Sequence, residues 1–255
     1  MIVLHHEKRS GFARADLLVT ILLAIVALSL LSCGLSTSRI SSLRSYCVNN
    51  LMQIGIAIHT YHDANSNLPS ETPTAPGKTG PESFYIYLLP YVEEQYNAPA
   101  ASQPVRLFLC PSRRSTAVGG KRDYGYGCSK GAGSVGTSVL DAPEFLTLDA
   151  IQDQKKGTSK TALLSHVWLD PKTYKGGDPT DLGWNTLNNG RSCNTNLSDT
   201  DATGSNTAIG SPHPNVNIFL FVDAHVQNIP YGWQPSEGPF ANIWAYDSKQ
   251  DITLP

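Results

Sequence analysis

Residues 17–35 (LLVTILLAIVALSLLSCGL) constrain this chain more than any other stretch. The run is 19 residues long and lies within 22 consecutive uncharged positions, 17–38. As a helix it would rise roughly 28 Å, about the thickness of a bilayer's hydrocarbon layer. Helices of soluble cores seldom stay uncharged over such a length, so the run predicts a membrane-spanning helix and a lipid partner. Lys8, Arg9 and Arg14 come before it. By the positive-inside rule they predict a cytoplasmic start and an exported remainder.

Charge is scarce in the chain as a whole. Asp, Glu, Lys and Arg make up 16% of the 255 residues, against roughly 25% in typical soluble domains. The net charge of -2 comes from 19 basic and 21 acidic side chains. Such a balance lacks the basic field that nucleic acid requires and the acidic excess of a disordered chain. No nucleic-acid partner is expected. The 21 glycines and 17 prolines predict many loops in whatever follows the apolar run.

Past residue 38 the apolar positions change period. Ile40, Leu43, Cys47, Leu51, Ile54, Ile58 and Tyr61 recur at steps of three and four, the stripe of an amphipathic helix. Joined to the apolar run, residues 12–63 predict one 52-residue helix, about 78 Å long. The breaker-rich segment 65–80 (NSNLPSETPTAPGKTG) ends it. Strands are expected at 83–89, 105–110, 161–168, 216–222 and 225–229, with Asp223-Ala224 at a hairpin turn somewhat wider than two residues, because Ala resists positive φ. The resulting expectation is an α+β, pilin-like fold: a long N-terminal helix packed on an antiparallel β-sheet head with long loops. Its segments are a leader at 1–11, an assembly helix at 12–38, the amphipathic half at 39–66 and an exported head at 67–255.

Three kinds of processing suit this N-terminus. A small-x-small signal cleavage site is only loosely matched by SCGLSTS. Leu30-Leu31-Ser32-Cys33 resembles a lipobox, which would make Cys33 a lipidated anchor. Lys8-Arg9-Ser10-Gly11-Phe12, followed by Asp16 and the apolar run, resembles the type IV prepilin cleavage and methylation motif. That resemblance implies cutting after Gly11 by a prepilin peptidase and methylation of the new Phe12 amine. It also implies that Asp16 pairs with that amine on a neighbouring subunit, since a carboxylate in hydrocarbon needs a partner. Asp16 stands where that family prefers Glu, and Arg14 where it is usually apolar.

A second resemblance covers most of the chain. Cys47-Val48-Asn49-Asn50-Leu51, His59-Thr60-Tyr61-His62-Asp63, Leu88-Leu89-Pro90-Tyr91, Cys110-Pro111-Ser112 and Gly157-Thr158-Ser159 arrive in an order similar to a bacterial prepilin-like group, the domain-of-unknown-function 1559 family. His213, ten positions before Asp223, resembles the C-terminal His-x9-Asp-Gly motif of that family, with Ala224 in place of its glycine. His166 stands where the family commonly has Glu. The resemblance implies a pilin-like or pseudopilin-like structural subunit. Other pilin-like subunits and an assembly platform of a type IV pilus-like or type II secretion-like system would be its partners. It implies no catalytic residue and no cofactor. An envelope-anchored binding module is the alternative, its loop 170–212 presenting Trp168, Tyr174 and Trp184.

Cys33 lies in the apolar run, which leaves Cys47, Cys110, Cys128 and Cys193 as disulfide candidates with three possible pairings. An oxidising compartment favours such bonds. Cys47–Cys110 comes first, because Cys47 lies on the buried stripe and Cys110 ends an apolar strand, so the bond would clamp helix to sheet, and Cys128–Cys193 would follow by joining two Gly/Asn-rich loops. No two cysteines form a CxxC pair, so no metal centre is expected. Gly127-Cys128-Ser129-Lys130-Gly131 matches a nucleophile elbow in letters, but the glycine-rich AGSVGTS after it cannot supply the required helix. His59 and His62 read as partners of the helix end, His213 as an organiser of the turn before its strand, and His166 as a core residue or a neighbour of His225.

Overall fold

A computed structural model of the chain describes residues 14–71, 82–92, 102–127, 137–142, 146–187, 190–205 and 207–255. It divides into two units, Met1–Ser42 and Leu43–Pro255. Helix α1, Arg14–Asn65, runs through both and is 52 residues long. In the first unit its large apolar side chains from Leu17 to Leu28 are exposed. Among the described residues no helix is long and apolar enough to cross a membrane. The side chains at 30–37, Cys33 included, lie outside the description.

In the second unit the stripe closes onto a core. Cys47, Leu51, Ile54 and Ile58 are fully buried, whereas Ile40, upstream of this unit, is exposed. Gly55 sits where α1 comes closest to the sheet: a Cβ there would lie 2.9 Å from Leu220 Cδ1 and 3.1 Å from the Ala224 Cβ. His59 Nε2 donates to the Val222 carbonyl at 2.7 Å, tying the same helix to the same corner.

The sheet has six strands: β1 Tyr124–Gly127, β2 Ala162–His166, β3 Gly190–Ser198, β4 Ala208–Ser211, β5 Val216–Phe221 and β6 Val226–Pro230. Their order is β4-β3-β1-β2-β5-β6. The sheet is mixed and not antiparallel throughout, because β1–β3 and β3–β4 are parallel pairs. The parallel half comes from the segment 170–212. Instead of a free loop, it contains β3 and β4, and long connections of this kind are what parallel pairing needs.

Two expected strands are helical turns. Residues 83–89 form α2, Phe84–Leu88, followed by a 3-10 turn at Leu89–Tyr91. Phe84, Tyr85, Leu88 and Leu89 are buried, a spacing of one, three and one that suits a helical face and not the alternation of a strand. Residues 105–110 contain a 3-10 turn at Arg106–Phe108. A short, mostly apolar run does not distinguish strand from buried turn by its period. A further short helix, α3, spans Leu148–Gln152, and its N-cap Thr147 Oγ1 accepts from the Ala150 N–H at 3.2 Å.

The β5–β6 hairpin is wider than two residues, as expected. The Ala224 N–H donates to the Phe221 carbonyl at 3.0 Å and the Phe221 N–H donates to the His225 carbonyl at 2.9 Å, leaving three residues in the loop. Ala224 adopts a left-handed φ of 67°, the position at which such loops normally carry glycine.

Candidate functional site

The strongest concentration of chemistry lies in the core of the second unit, where four separate elements converge. Cys47 comes from α1, Cys110 from the turn after Arg106–Phe108, His166 from the end of β2 and His213 from the connection between β4 and β5. Each has a relative exposure of 1% or less. Their donor atoms all lie within 4.8 Å of one another. Cys47 Sγ and Cys110 Sγ are 2.7 Å apart with no bond drawn between them, so the structure brings the first of the expected cysteine pairs face to face. Cys110 Sγ is 4.0 Å from His213 Nε2, and the two imidazoles meet edge to face with centroids 5.1 Å apart. Among the described residues this is the one group of His, Cys or carboxylate donors close enough to share an ion.

Local structure fixes each member. Cys110 opens a turn in which the N–H groups of Arg113 and Arg114 donate to its carbonyl at 2.9 and 3.1 Å. Its own N–H donates to Asp123 Oδ2 at 2.7 Å. His213 is held by its backbone: its N–H donates to Ser211 Oγ at 3.2 Å, and Tyr231 Oη donates to its carbonyl at 2.7 Å. His166 pairs with Tyr124 across β1 and β2, the rings 4.9 Å apart. Neither ring nitrogen of His166 makes a hydrogen bond of normal geometry, although the Asn217 side chain lies close enough to act on the ring.

Electrostatics follow from this packing. The hydrogen bond with Cys110 holds the Cys47 thiol below its ordinary pKa against the opposing pull of burial, with help from the Ser112 backbone. Burial pushes the Cys110 thiol well up. Burial also drives His166 well below the ordinary histidine value, and the neighbouring His213 and Arg113 add to it. The imidazole of His166 is therefore neutral, the form in which histidine ligates metals.

Beside the cluster runs a buried ion network. Arg113 makes a two-pronged contact with Asp199, Nε to Oδ2 at 2.7 Å and Nη2 to Oδ1 at 2.9 Å, and reaches Asp123 Oδ1 at 3.3 Å. Arg114 pairs with Asp123 at 2.9 Å and Asp181 at 2.6 Å. Burial pulls Arg113 down, but the Asp199 and Asp123 carboxylates outweigh it and hold the guanidinium above its ordinary value. Tyr174 Oη donates to Asp199 Oδ2 at 2.6 Å. Trp184 Nε1 donates to the Gln103 carbonyl at 2.9 Å, and Trp168 Nε1 to the Ser198 carbonyl at 3.1 Å. Trp184 holds 170–212 in place together with Asp181 and Asp199, Tyr174 braces Asp199 from within the same segment, and Trp168 joins it from just after β2.

The remaining residues marked by sequence fall elsewhere. Gly11, Phe12, Cys128 and Ser129 lie outside the described residues. Asp16 is exposed in the first turn of α1. Asn49 and Pro111 are exposed, and Asn50 Nδ2 donates to the Leu109 carbonyl at 2.9 Å, securing the segment before Cys110. His62 Nε2 accepts from the Leu148 N–H at 3.3 Å. Asp223 stays at the exposed hairpin, 2.5 Å from His225 Nδ1, while His213 faces inward. His166 is a core residue beside His213, and His225 instead stacks on Phe221 at 4.4 Å. Cys193 is buried on β3.

Spacing along the chain gives no hint of this cluster, because its members have no partner nearby in the sequence. Cys47 and Cys110 are 63 positions apart, and Cys110 and His213 are 103 apart. A signal was present all the same: three of the four residues belong to separate motifs with no local partner, which is how ligands from different elements look in a sequence.

A family model described as a protein of unknown function, DUF1559, matches residues 43–235. The chain belongs to the DUF1559 family. The match includes all four residues of the buried cluster. No curated protein and no solved structure matches the chain.

Proposed function

We propose that this DUF1559 protein is a membrane-anchored structural subunit of a pilin-like or pseudopilin-like assembly, working by helix packing and not by catalysis. The apolar half of α1 would serve as anchor and packing element, and the residues after it as an exported head. The observation that carries this reading is the apolar surface of α1. Leu18 and Leu28 are each 67% exposed, and Leu22 and Leu23 each 63%. Such a surface demands lipid or other apolar helices around it. The polar atoms within it support the same reading: Thr20 Oγ1 donates to the Leu17 carbonyl at 2.9 Å and Ser29 Oγ to the Val26 carbonyl at 2.7 Å. These hydroxyls are satisfied within the helix itself, as an apolar medium requires.

In this scheme prepilin peptidase cuts after Gly11. Asp16, on the first turn, complements the helix dipole and meets the Phe12 amine of the next subunit. Mass spectrometry of the mature N-terminus tests the reading. A chain that begins with methylated Phe12 supports it. A chain that begins with lipidated Cys33 overturns it in favour of a lipoprotein.

A further inference from the structure

We propose that Cys47, Cys110, His166 and His213 form a closed Cys2His2 centre that binds one divalent ion, zinc by its donor set, and pins α1 to the sheet. The proposal is independent of how the N-terminus is anchored.

Geometry comes first. With Zn–S near 2.3 Å and Zn–N near 2.0–2.1 Å, a tetrahedral site has donor-to-donor edges of roughly 3.3–3.8 Å. Here the donors all lie within 4.8 Å, with edges of 2.7 Å between the sulfurs and 4.0 Å between Cys110 Sγ and His213 Nε2. Side-chain rotations of about 1 Å convert one arrangement into the other, a small adjustment on the scale of those edges.

A second observation points to a ligand. Both nitrogens of His166 are buried without a hydrogen bond of normal geometry, although the Asn217 side chain lies close enough to act on the ring, and buried polar groups left in that state are costly. A Cys47–Cys110 disulfide would use the two sulfurs and leave His166 as it stands. A metal ion takes up one of its nitrogens as well as the sulfurs and His213.

Charge closes the argument. Each cysteine releases its proton to solvent as the ion binds, so two thiolates and one divalent cation sum to zero. A neutral centre can stay buried beside Arg113 without a new counter-ion. Two soft sulfurs and two imidazoles in tetrahedral array favour zinc, and four protein ligands leave no open position for substrate, so the role is structural. The bound ion would join α1, the turn after Arg106–Phe108, β2 and the β4–β5 connection, four segments far apart in the chain.

The full chain, purified in detergent without chelator, provides the test. Elemental analysis should find one zinc per chain. Replacement by Co2+ should give the visible bands of a tetrahedral site and a near-ultraviolet thiolate-to-cobalt charge-transfer band. C47S should roughly halve that band while the visible bands persist. H166N and H213N should weaken Co2+ binding by at least tenfold, on the scale seen even for outer-shell changes, and H225A should leave it unchanged. Should the histidine variants fail to fold, the spectrum of the unaltered chain still decides. Absence of zinc together with absence of the charge-transfer band overturns the proposal, as does a Cys47–Cys110 disulfide in protein taken directly from the membrane.

Discussion

Ala224 shows how a single side chain stores strain at a turn. It holds a φ of 67°, a region that an L-residue enters at a cost of roughly 1–2 kcal/mol. Glycine enters it freely but loses more entropy on folding. Ala224→Gly is therefore expected to stabilise the head by about 0.5–1 kcal/mol, measured as a raised midpoint in urea with an unchanged slope. A lowered midpoint would mean that the Ala224 methyl, packed against α1 at Gly55, contributes more than the strain costs. Gly127 is the converse. A Cβ there would lie 2.3 Å from the Trp244 indole, so the first glycine of the GCSKG match has a packing reason at the end of β1. The letters of that match said nothing about Trp244, 117 positions away in the chain.

Elements are joined by buried polar groups as well as by apolar faces. Lys156, just after α3, is 4% exposed and donates to the carbonyls of Asn242 and Ile243 in the 3-10 helix Phe240–Ile243. Burial lowers its pKa from 10.5 to about 7, only partly offset by Asp247 and Asp251. Between those two values the unfolded chain holds the proton and the folded chain does not, so stability rises with pH across the window. Below about pH 7 the penalty is fully present, and above 10.5 it is gone. The slope that Lys156 contributes is at most ~1.4 kcal/mol per pH unit. Urea titrations of the full chain and of K156M from pH 7 to 10 should show this slope in their difference. Parallel curves would mean that Lys156 keeps its proton through the hydrogen bonds. At this scale local pattern was a good guide where it was long. The helix expected at 12–63 is Arg14–Asn65, and four members of its stripe, Cys47, Leu51, Ile54 and Ile58, are fully buried. Short runs are ambiguous: FYIYL forms α2, and YGYG, half of it glycine, is β1 because it lies between β2, where His166 and Ser165 pair with it, and β3.

The whole molecule consists of two unlike units, one ending at Ser42 and the other beginning at Leu43. The second has its own core, from Cys47 on α1 to Ile252 near the C-terminus. A chain beginning at residue 39 is therefore expected to fold cooperatively and stay in the aqueous phase, whereas the full chain should partition into a detergent phase. If both stayed aqueous, the exposed leucines of α1 would be covered by protein and not by lipid. Cutting before residue 39 retains Cys47 and Asn50, so the truncated head keeps every member of the buried cluster.

Sequence by itself determined the long helix, the change from an apolar run to an amphipathic stripe, the family, and the strands β2, β5 and β6. The helix rests on a pattern repeated over neighbouring residues, whose period follows directly from backbone geometry; the family rests on separate motifs arriving in order, and the three strands on short apolar runs bounded by turns. Only the tertiary structure decided the parallel half of the sheet, the pinning of 170–212 by Asp181, Asp199 and Trp184, and the meeting of Cys47, Cys110, His166 and His213. These depend on strand order and register, which bring together residues that share no local pattern.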